Sequence, residues 1–397
     1  MEPTIALLAN GRAHLKEPGK PLREVSSSFA KESQERQKRN QSIDGWKSRS
    51  GVWGNMGMAP PSMAQWDEAE GGQFSRITFR SLARGPQPGL LLYILDLQAV
   101  RGLFQYDLAQ DLERRLMHRN EFFAHDLACH PTKGTVAIAL EQEDGSAHLA
   151  FSDNEGKHWN RLAGGDSVDE APSWVPGEGR RVVFQSAPIG RNKQGMRLGL
   201  APYTIETVDL DGDGKTTVLH QEKDHDLLQP KQTDDGTLYF IRRPYRKPRS
   251  EVPGFGEFAL DVLLLPFRFL RAVYMFCNFM SMMFSGQPLA TTFGQRQMKP
   301  QQAQFLTLWG QAIDTKKAMQ KNSGEQAGAL VPKDWELVRR SPGGEEQTLA
   351  SNVLAYDLGP AGSIVFTNGT AVFWQQADGK REKFCEQTAV ESVVWVM

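Results

Sequence analysis

The fold is decided by the stretch DEAPSWVPGEGRRVVFQS, residues Asp169–Ser186. It has an acidic start, a short apolar segment, a glycine-bearing turn and a β-rich run, an order that predicts strand, turn, strand. The same order recurs in HDLACHPTKGTVAIALE from His125 and in HDLLQPKQTDDGTLYFIRR from His225. The starts at His125 and Asp169 lie 44 residues apart. This spacing fits one four-stranded repeat unit.

The repeat at Asp169 carries a family resemblance. Its residues Asp169, Pro172, Trp174, Pro176 and Gly179 resemble the β-propeller repeats of TolB-like proteins, and the two other repeats match in part. The resemblance implies an all-β fold, a six-bladed β-propeller, formed as a single body by residues 1–397.

The two ends of the sequence match each other. TIALLANGRAHLKEPGKPLREV at residues 4–25 and SIVFTNGTAVFWQQADGKREKF at residues 363–384 both contain an Asn-Gly hairpin signal between apolar strands. The first copy lacks a first strand, and VESVVWV at residues 390–396 is a strand with no blade after it. We therefore expect the two ends to complete one blade, a closure that removes open strand edges. Residues 28–72 are expected to form a surface helix and a long loop.

One blade contains a long hydrophobic insertion, predicted over residues 243–302. After TLYFIRR, about sixty residues intervene before AQFLTLWGQAID at residues 303–314, which we expect to resume the blade as its third strand. The insertion begins with a basic run and continues into a segment, residues 262–284, whose only charges are Arg268 and Arg271.

A single membrane span is excluded by topology, because both flanks of the insertion return to the same blade. The two arginines would also cost roughly 2.5 to 3.5 kcal/mol each at the centre of a span, and Pro266 would break or kink the helix. Three alternatives remain open: an interfacial helix or re-entrant segment at an anionic membrane, a helix that contacts a protein partner or a second copy of the chain, or a helix packed on the propeller itself. The expected contact residues are Arg243, Arg246, Lys247, Leu264, Phe267, Arg268, Phe269, Arg271, Phe276 and Phe279.

Composition limits the function classes. Lys plus Arg total 46 against 47 Asp plus Glu, so the overall charge of the protein does not favour binding to nucleic acid. The three cysteines have no CxxC spacing, which argues against a disulfide framework and a zinc-cysteine site. The first residues lack the features of a secretory signal. We expect a cytoplasmic protein, peripheral at the inner membrane face if the insertion meets lipid; its oligomeric state is left open.

Two groups of residues are candidates for chemistry. His125, Asp169 and His225 begin their repeats, where the first strand of a blade approaches the channel, and could bind a metal or act as acid and base. Asp209, Asp211 and Asp213 match the first half of a calcium loop, but its twelfth position is His220 instead of glutamate. Structural roles in the turns compete with both interpretations. Apart from calcium, we expect no cofactor.

Motifs that name a reaction are missing from the sequence. There is no G-x-S-x-G nucleophile elbow, no Walker loop and no G-x-G-x-x-G after a strand. The favoured hypothesis is a non-enzymatic scaffold for protein–protein interaction, attached to a membrane surface or a partner through residues 250–300. The alternative is a lyase or hydrolase acting on a small molecule or carbohydrate at the channel mouth.

Overall fold

The computed structural model describes residues 2–36, 39, 77–97, 100–120, 122–192, 194–247, 305–308, 311–314 and 328–397. The chain divides into two compact units, one comprising Met1–Ala30, Ile77–Pro248 and Ala303–Met397 and the other Lys31–Arg76 and Arg249–Gln302. Nearly all of the second unit lies outside the described residues, so the fold below is that of the first.

The described part of the chain is built almost entirely of short strands, with a helix at residues 28–36 and one 3-10 turn at Pro360–Gly362. In chain order the strands are β1 Ile5–Ala9, β2 Arg12–Lys16, β3 Arg23–Glu24, β4 Thr78–Arg84, β5 Leu90–Asp96, β6 Val100–Asp107, β7 Leu112–Asn120, β8 Ala124–Cys129, β9 Val136–Glu141, β10 Ala147–Ser152, β11 Asn160–Arg161, β12 Ser167–Trp174, β13 Arg181–Arg191, β14 Arg197–Leu200, β15 Thr204–Asp209, β16 Thr216–His220, β17 His225–Gln232, β18 Leu238–Pro244, β19 Phe305–Leu308, β20 Gln311–Asp314, β21 Glu336–Arg340, β22 Glu346–Ser351, β23 Ala355–Leu358, β24 Ile364–Thr367, β25 Ala371–Gln375, β26 Arg381–Glu386 and β27 Val390–Trp395.

Most strands belong to four-stranded antiparallel sheets that the chain builds one after another. Three of these sheets are β4-β5-β6-β7, β17-β18-β21-β22 and β23-β24-β25-β26. Strands β8 to β11 and β12 to β16 repeat the arrangement, and a parallel pair, Ala147 with Val168, joins these two sets into a nine-stranded sheet. The sheet β27-β1-β2-β3 takes its first strand from the far end of the sequence.

Burial follows the position of a strand within its sheet. All five residues of β1 are buried, as are six of the seven in β5, which reads LLLYILD. Such continuous apolar runs are typical of strands covered on both faces. The outermost strands are largely exposed: β7 reads LERRLMHRN and β16 reads TTVLH. Charged and hydroxyl side chains on these edges oppose pairing with a second chain.

The predicted pairing of the two ends is confirmed. Strand β1 pairs antiparallel with β27, with Ile5 opposite Trp395 and Leu7 opposite Val393. The turn between β1 and β2 places Asn10 at φ 53° and Gly11 at φ 70°, the backbone that favours Asn-Gly in a two-residue hairpin. The predicted Asn-Gly hairpin therefore fixes the register of the first two strands.

Neighbouring sheets share hydrophobic clusters, and this sharing closes a ring. One cluster joins β1 and β2 to β5 and β6, with Leu8 and Leu15 against Tyr93 and Phe104. Further clusters join each sheet to the next along the chain, and another packs β1 and β27 against β23, β24 and β25. The last sheet along the chain thus packs against the first.

The predicted third strand of the interrupted blade is wrong. Residues 305–308 and 311–314 pair with each other as the separate hairpin β19–β20, while β21 supplies the third strand of the blade. Leu337 and Val338 of β21 are buried, and Val338 lies opposite Phe240 of β18. Because these side chains fill the core beside β18, the segment between the paired strands extends over residues 245–335. Among the described residues, no helix has the length and apolar character needed to cross a membrane.

Candidate functional site

The inner strands of the ring surround a cavity of about 650 Å³, a size typical of small-ligand pockets. Strands β4, β8, β12, β17, β23 and β27 all contribute to its lining. The lining carries both signs of charge, from Arg80, Arg84, Lys231, Asp126, Asp357 and Glu391.

Three inner strands bulge at matching positions beside this cavity. Asp126, Ala171 and Gln229 all have left-handed backbone, with φ near 50°, and each sits where the register of β8, β12 or β17 shifts. A non-glycine residue in this region is strained and persists only where its surroundings hold it. A bulge also frees backbone groups from the strand pairing.

Neighbouring sheets bind the freed backbone groups. The N–H of Ala171 donates to Asp126 Oδ2 at 2.8 Å, and the N–H of Gln229 donates to Gln185 Oε1 at 2.8 Å. The N–H of Trp395 donates to Asp357 Oδ2 at 2.7 Å, and Lys231 Nζ lies 3.0 Å from Asp357 Oδ1. Two carboxylates of the cavity lining, Asp126 and Asp357, therefore join neighbouring inner strands, β8 to β12 and β23 to β27.

A buried polar cluster lies behind the lining at β8 and β12. His125 Nε2 is 3.3 Å from Glu170 Oε1, and Tyr203 donates to the other oxygen of Glu170 at 3.0 Å. Burial by itself would lower the pKa of His125, but Glu170 and Asp126 outweigh it and raise this pKa to about 9. Burial raises the pKa of Asp126, while the hydrogen bonds and charge of His125 lower the pKa of Glu170 against the effect of its burial.

The three predicted channel residues have separate partners. His125 faces Glu170; Asp169 Oδ2 lies 3.1 Å from His148 Nδ1; and His225 Nδ1 lies 2.9 Å from Glu222 Oε2. None of the three predicted residues is in the cavity lining. The structure does not bring them together as one acid–base or metal cluster among the residues it describes.

The three predicted calcium ligands serve turns and ion pairs at the end of β15. Asp209 Oδ1 accepts the N–H of Asp211, Asp211 Oδ1 lies 2.7 Å from Arg180 Nε, and Asp213 Oδ2 lies 3.3 Å from Lys215. In the described part of the chain, their carboxylates form no group of three within 4.8 Å.

The basic residues at the end of β18 and just after it differ in their exposure. Arg243 is 1% exposed, donates to Asp226 at 2.8 Å and lies over the Trp335 ring. Its predicted role as a membrane or partner contact is therefore wrong, because the guanidinium is enclosed by its own sheet. Arg246 and Lys247 are exposed and remain candidates. The other predicted contacts, from Leu264 to Phe279, lie outside the described residues.

One cluster was missed by the sequence reasoning. His220, at the end of β16, lies beside Glu222 and Glu346, with ligand atoms within 4.8 Å of one another. The spacing His220, Glu222, His225 was visible in the sequence. Glu346 was not, because it is brought in by β22 more than a hundred residues later.

Three groups of the lining, Cys129, Asp126 and Asp357, are held in states or contacts that do not favour catalysis. Burial raises the pKa of Cys129 to about 12, so this thiol stays protonated and is a poor nucleophile. Asp126 and Asp357 are occupied by backbone bonds. The site is better suited to binding through paired charges and backbone groups.

Comparisons with known proteins identify the fold. TolB from Acinetobacter baumannii is similar over 99% of this chain, with TM-score 0.50 and 11% identity, and this chain spans 66% of that protein's length. A nidogen/laminin complex matches over 100% of this chain and 99% of its own, with TM-score 0.49 and 9% identity. A putative TolB from Agrobacterium tumefaciens matches over 80% of this chain and 85% of its own, with TM-score 0.42 and 14% identity. No protein-family model and no curated protein sequence matches the chain.

Proposed function

We propose that this TolB-like β-propeller is a non-enzymatic, six-bladed scaffold for protein–protein interaction, attached to an anionic membrane surface or to a partner protein through residues 250–300. The blade count treats β8–β11 and β12–β16 as separate blades, since a parallel pair is the link between them. Each blade then contributes its first strand to the cavity.

The observation that carries the scaffold proposal is the use of two of the cavity's three acidic groups, Asp126 and Asp357. In a hydrolase or lyase a carboxylate must be free to exchange a proton with substrate. Here Asp126 accepts a backbone N–H from β12, and Asp357 accepts one from β27 while pairing with Lys231. Groups that hold blades together would lose those bonds by taking part in catalysis, so a binding role fits them better.

The attachment proposal rests on the point where the chain leaves β18. Arg246 and Lys247 are exposed there, directly before the segment whose sequence is apolar from residue 262 to residue 284. Exposed basic residues beside an apolar segment favour an anionic surface, each contributing about 1 kcal/mol. We place the protein in the cytoplasm, peripheral at the inner membrane face.

Replacement of residues 250–300 by a Gly-Ser linker tests the attachment. The variant should stay folded by circular dichroism but lose co-sedimentation with phosphatidylserine vesicles. If a partner is bound instead, vesicle binding is absent from both proteins and the deletion abolishes self-association or capture of a partner. Association that survives the deletion in every assay would contradict the proposal.

A charge variant tests the proposed membrane attachment separately. Arg246→Ala with Lys247→Ala should weaken binding to anionic vesicles about 30-fold, the equivalent of about 2 kcal/mol for two charges. The control is Lys215→Ala with Lys380→Ala, which removes two side chains that are 80% and 63% exposed elsewhere on the protein. An equal loss in both variants would indicate a general charge effect and not a local attachment site.

A further inference from the structure

Two neighbouring sheets approach each other at a cluster of histidine and glutamate side chains. His220 ends β16, the outer strand of one sheet, and Glu222 follows it. Glu346 begins β22, the outer strand of the next sheet. The cluster therefore joins two outer strands that share no strand pairing, and it lies away from the central cavity, whose lining contains none of these residues.

The spacing of the ligand atoms suits a tetrahedral metal ion. His220 Nε2 lies 3.4 Å from Glu222 Oε1 and 3.4 Å from Glu346 Oε1. A zinc ion with bonds of about 2.0–2.1 Å to nitrogen and 2.0–2.2 Å to oxygen separates its ligands by about 3.4 Å along each tetrahedral edge. Both distances match this edge, and all three ligand atoms lie within 4.8 Å of one another.

The histidine atom at the centre of the group is largely enclosed. His220 Nε2 lies between the two carboxylates, and the side chain is only 13% exposed. An imidazole nitrogen and two carboxylate oxygens placed in this way can all face one ion.

The surrounding groups position one ligand and compete for another. His225 Nδ1 lies 2.9 Å from Glu222 Oε2, so it orients the carboxylate whose other oxygen faces His220. Arg340 Nη1 lies 2.6 Å from Glu346 Oε1, the same oxygen that faces His220. Arg242 Nη1 lies 3.1 Å from Glu346 Oε2 and 3.8 Å from Glu222 Oε1. A bound ion would take Oε1 from Arg340 and leave Arg242 in place.

We propose that His220, Glu222 and Glu346 bind a Zn²⁺ ion that links β16 to β22, with the fourth position taken by water. This site is independent of the proposed scaffold function. Its effect is to clamp two sheets together next to β18, from which the inserted segment departs. Imidazole and carboxylate together are a ligand set that zinc accepts.

Calorimetric titration of the chelator-treated full-length protein with Zn²⁺ tests the proposal. One equivalent should bind and raise the thermal midpoint. His220→Ala and the isosteric Glu222→Gln should each weaken binding by more than the about 10- to 100-fold typical of outer-shell changes. His158→Ala, which removes an exposed histidine elsewhere, should leave binding unchanged.

Arg340→Ala should change the zinc affinity in the opposite direction. It should tighten zinc binding, because it removes the competitor for Glu346 Oε1. Weaker binding in this variant would contradict the assignment of Glu346. Absence of saturable zinc binding, or binding that His220→Ala and Glu222→Gln both leave unchanged, would show an ion-pair cluster only and overturn the site. If His220→Ala does not fold, Glu222→Gln decides.

Discussion

His125 Nε2 lies 3.3 Å from Glu170 Oε1, and the pair connects β8 to β12 behind the cavity lining. Its geometry resembles an acid–base pair, but Glu170 also accepts hydrogen bonds from Tyr203 and Gln185. The carboxylate is thus bound on several sides, and the histidine is held charged beside it. The contact stabilises the packing of β8 against β12, and this role has a measurable pH dependence.

Stability should fall as pH rises from about 6.5 through 9. Burial lowers the pKa of His125, but Glu170 and Asp126 raise it to about 9 against 6.5 in the unfolded chain. The contribution of charged His125 to the free energy of unfolding is therefore complete below pH 6.5 and is lost as the pH rises through 9. It amounts to at most about 3 kcal/mol. Urea unfolding across this range should show a steeper decline in the native protein than in His125→Gln. His158→Ala should retain the native slope, and an unchanged slope in His125→Gln would rule out this pair as the cause.

Gly359→Ala should destabilise the closure of the ring. A Cβ at this position would lie 2.5 Å from the Trp395 ring of β27, and its φ of −101° is open to any residue, so the cost comes from contact alone. We expect a loss of about 1–3 kcal/mol in the free energy of unfolding. Gly165→Ala is the matched control, since a Cβ there meets no atom within 4 Å. Equal stability of the two variants would mean that Trp395 moves without cost.

Arg243→Met should destabilise the protein by about 3–5 kcal/mol, because it leaves the buried Asp226 carboxylate without its cation. Adding Asp226→Asn should recover part of the loss, since the amide oxygen can still accept the N–H of Tyr203. Arg12→Met, at a surface pair that is 62% and 48% exposed, should change stability by about 0–1 kcal/mol. Vesicle binding by the double variant should equal that of the native protein; a loss there would restore Arg243 as a contact residue.

The repeat pattern could be predicted from sequence because its signals are local. An Asn-Gly pair between apolar strands specifies a hairpin wherever it occurs, and β1–β2 formed as expected. The third strand after β18 was harder to predict, because residues 305–314 and β21 both have strand-forming sequences. The choice between them depends on whether Leu337 and Val338 reach the core beside Phe240, which is a tertiary contact.

The candidate site was misplaced for a different physical reason. Side chains alternate between the faces of a regular strand, and one bulge reverses the alternation. The bulge of β8 at Asp126 puts Asp126 in the cavity lining and His125 behind it. The dipeptide His125-Asp126 has the same sequence in a bulged and in a regular strand. A residue can therefore be assigned to the correct strand but to the wrong face of it.

The contact between the two ends of the chain also has an engineering consequence. The N–H of Thr4 donates to the carbonyl of Met397 at 2.8 Å. Residues from opposite extremes of the sequence are therefore close enough for a short peptide to join them. A circularly permuted protein, joined there and opened at the exposed turn between β15 and β16, would keep every strand pair while making the β27–β1 contact local in sequence. The same cut makes the β15–β16 pair the new contact between the two ends of the chain, so the permutant tests whether the ring can be closed at a different blade.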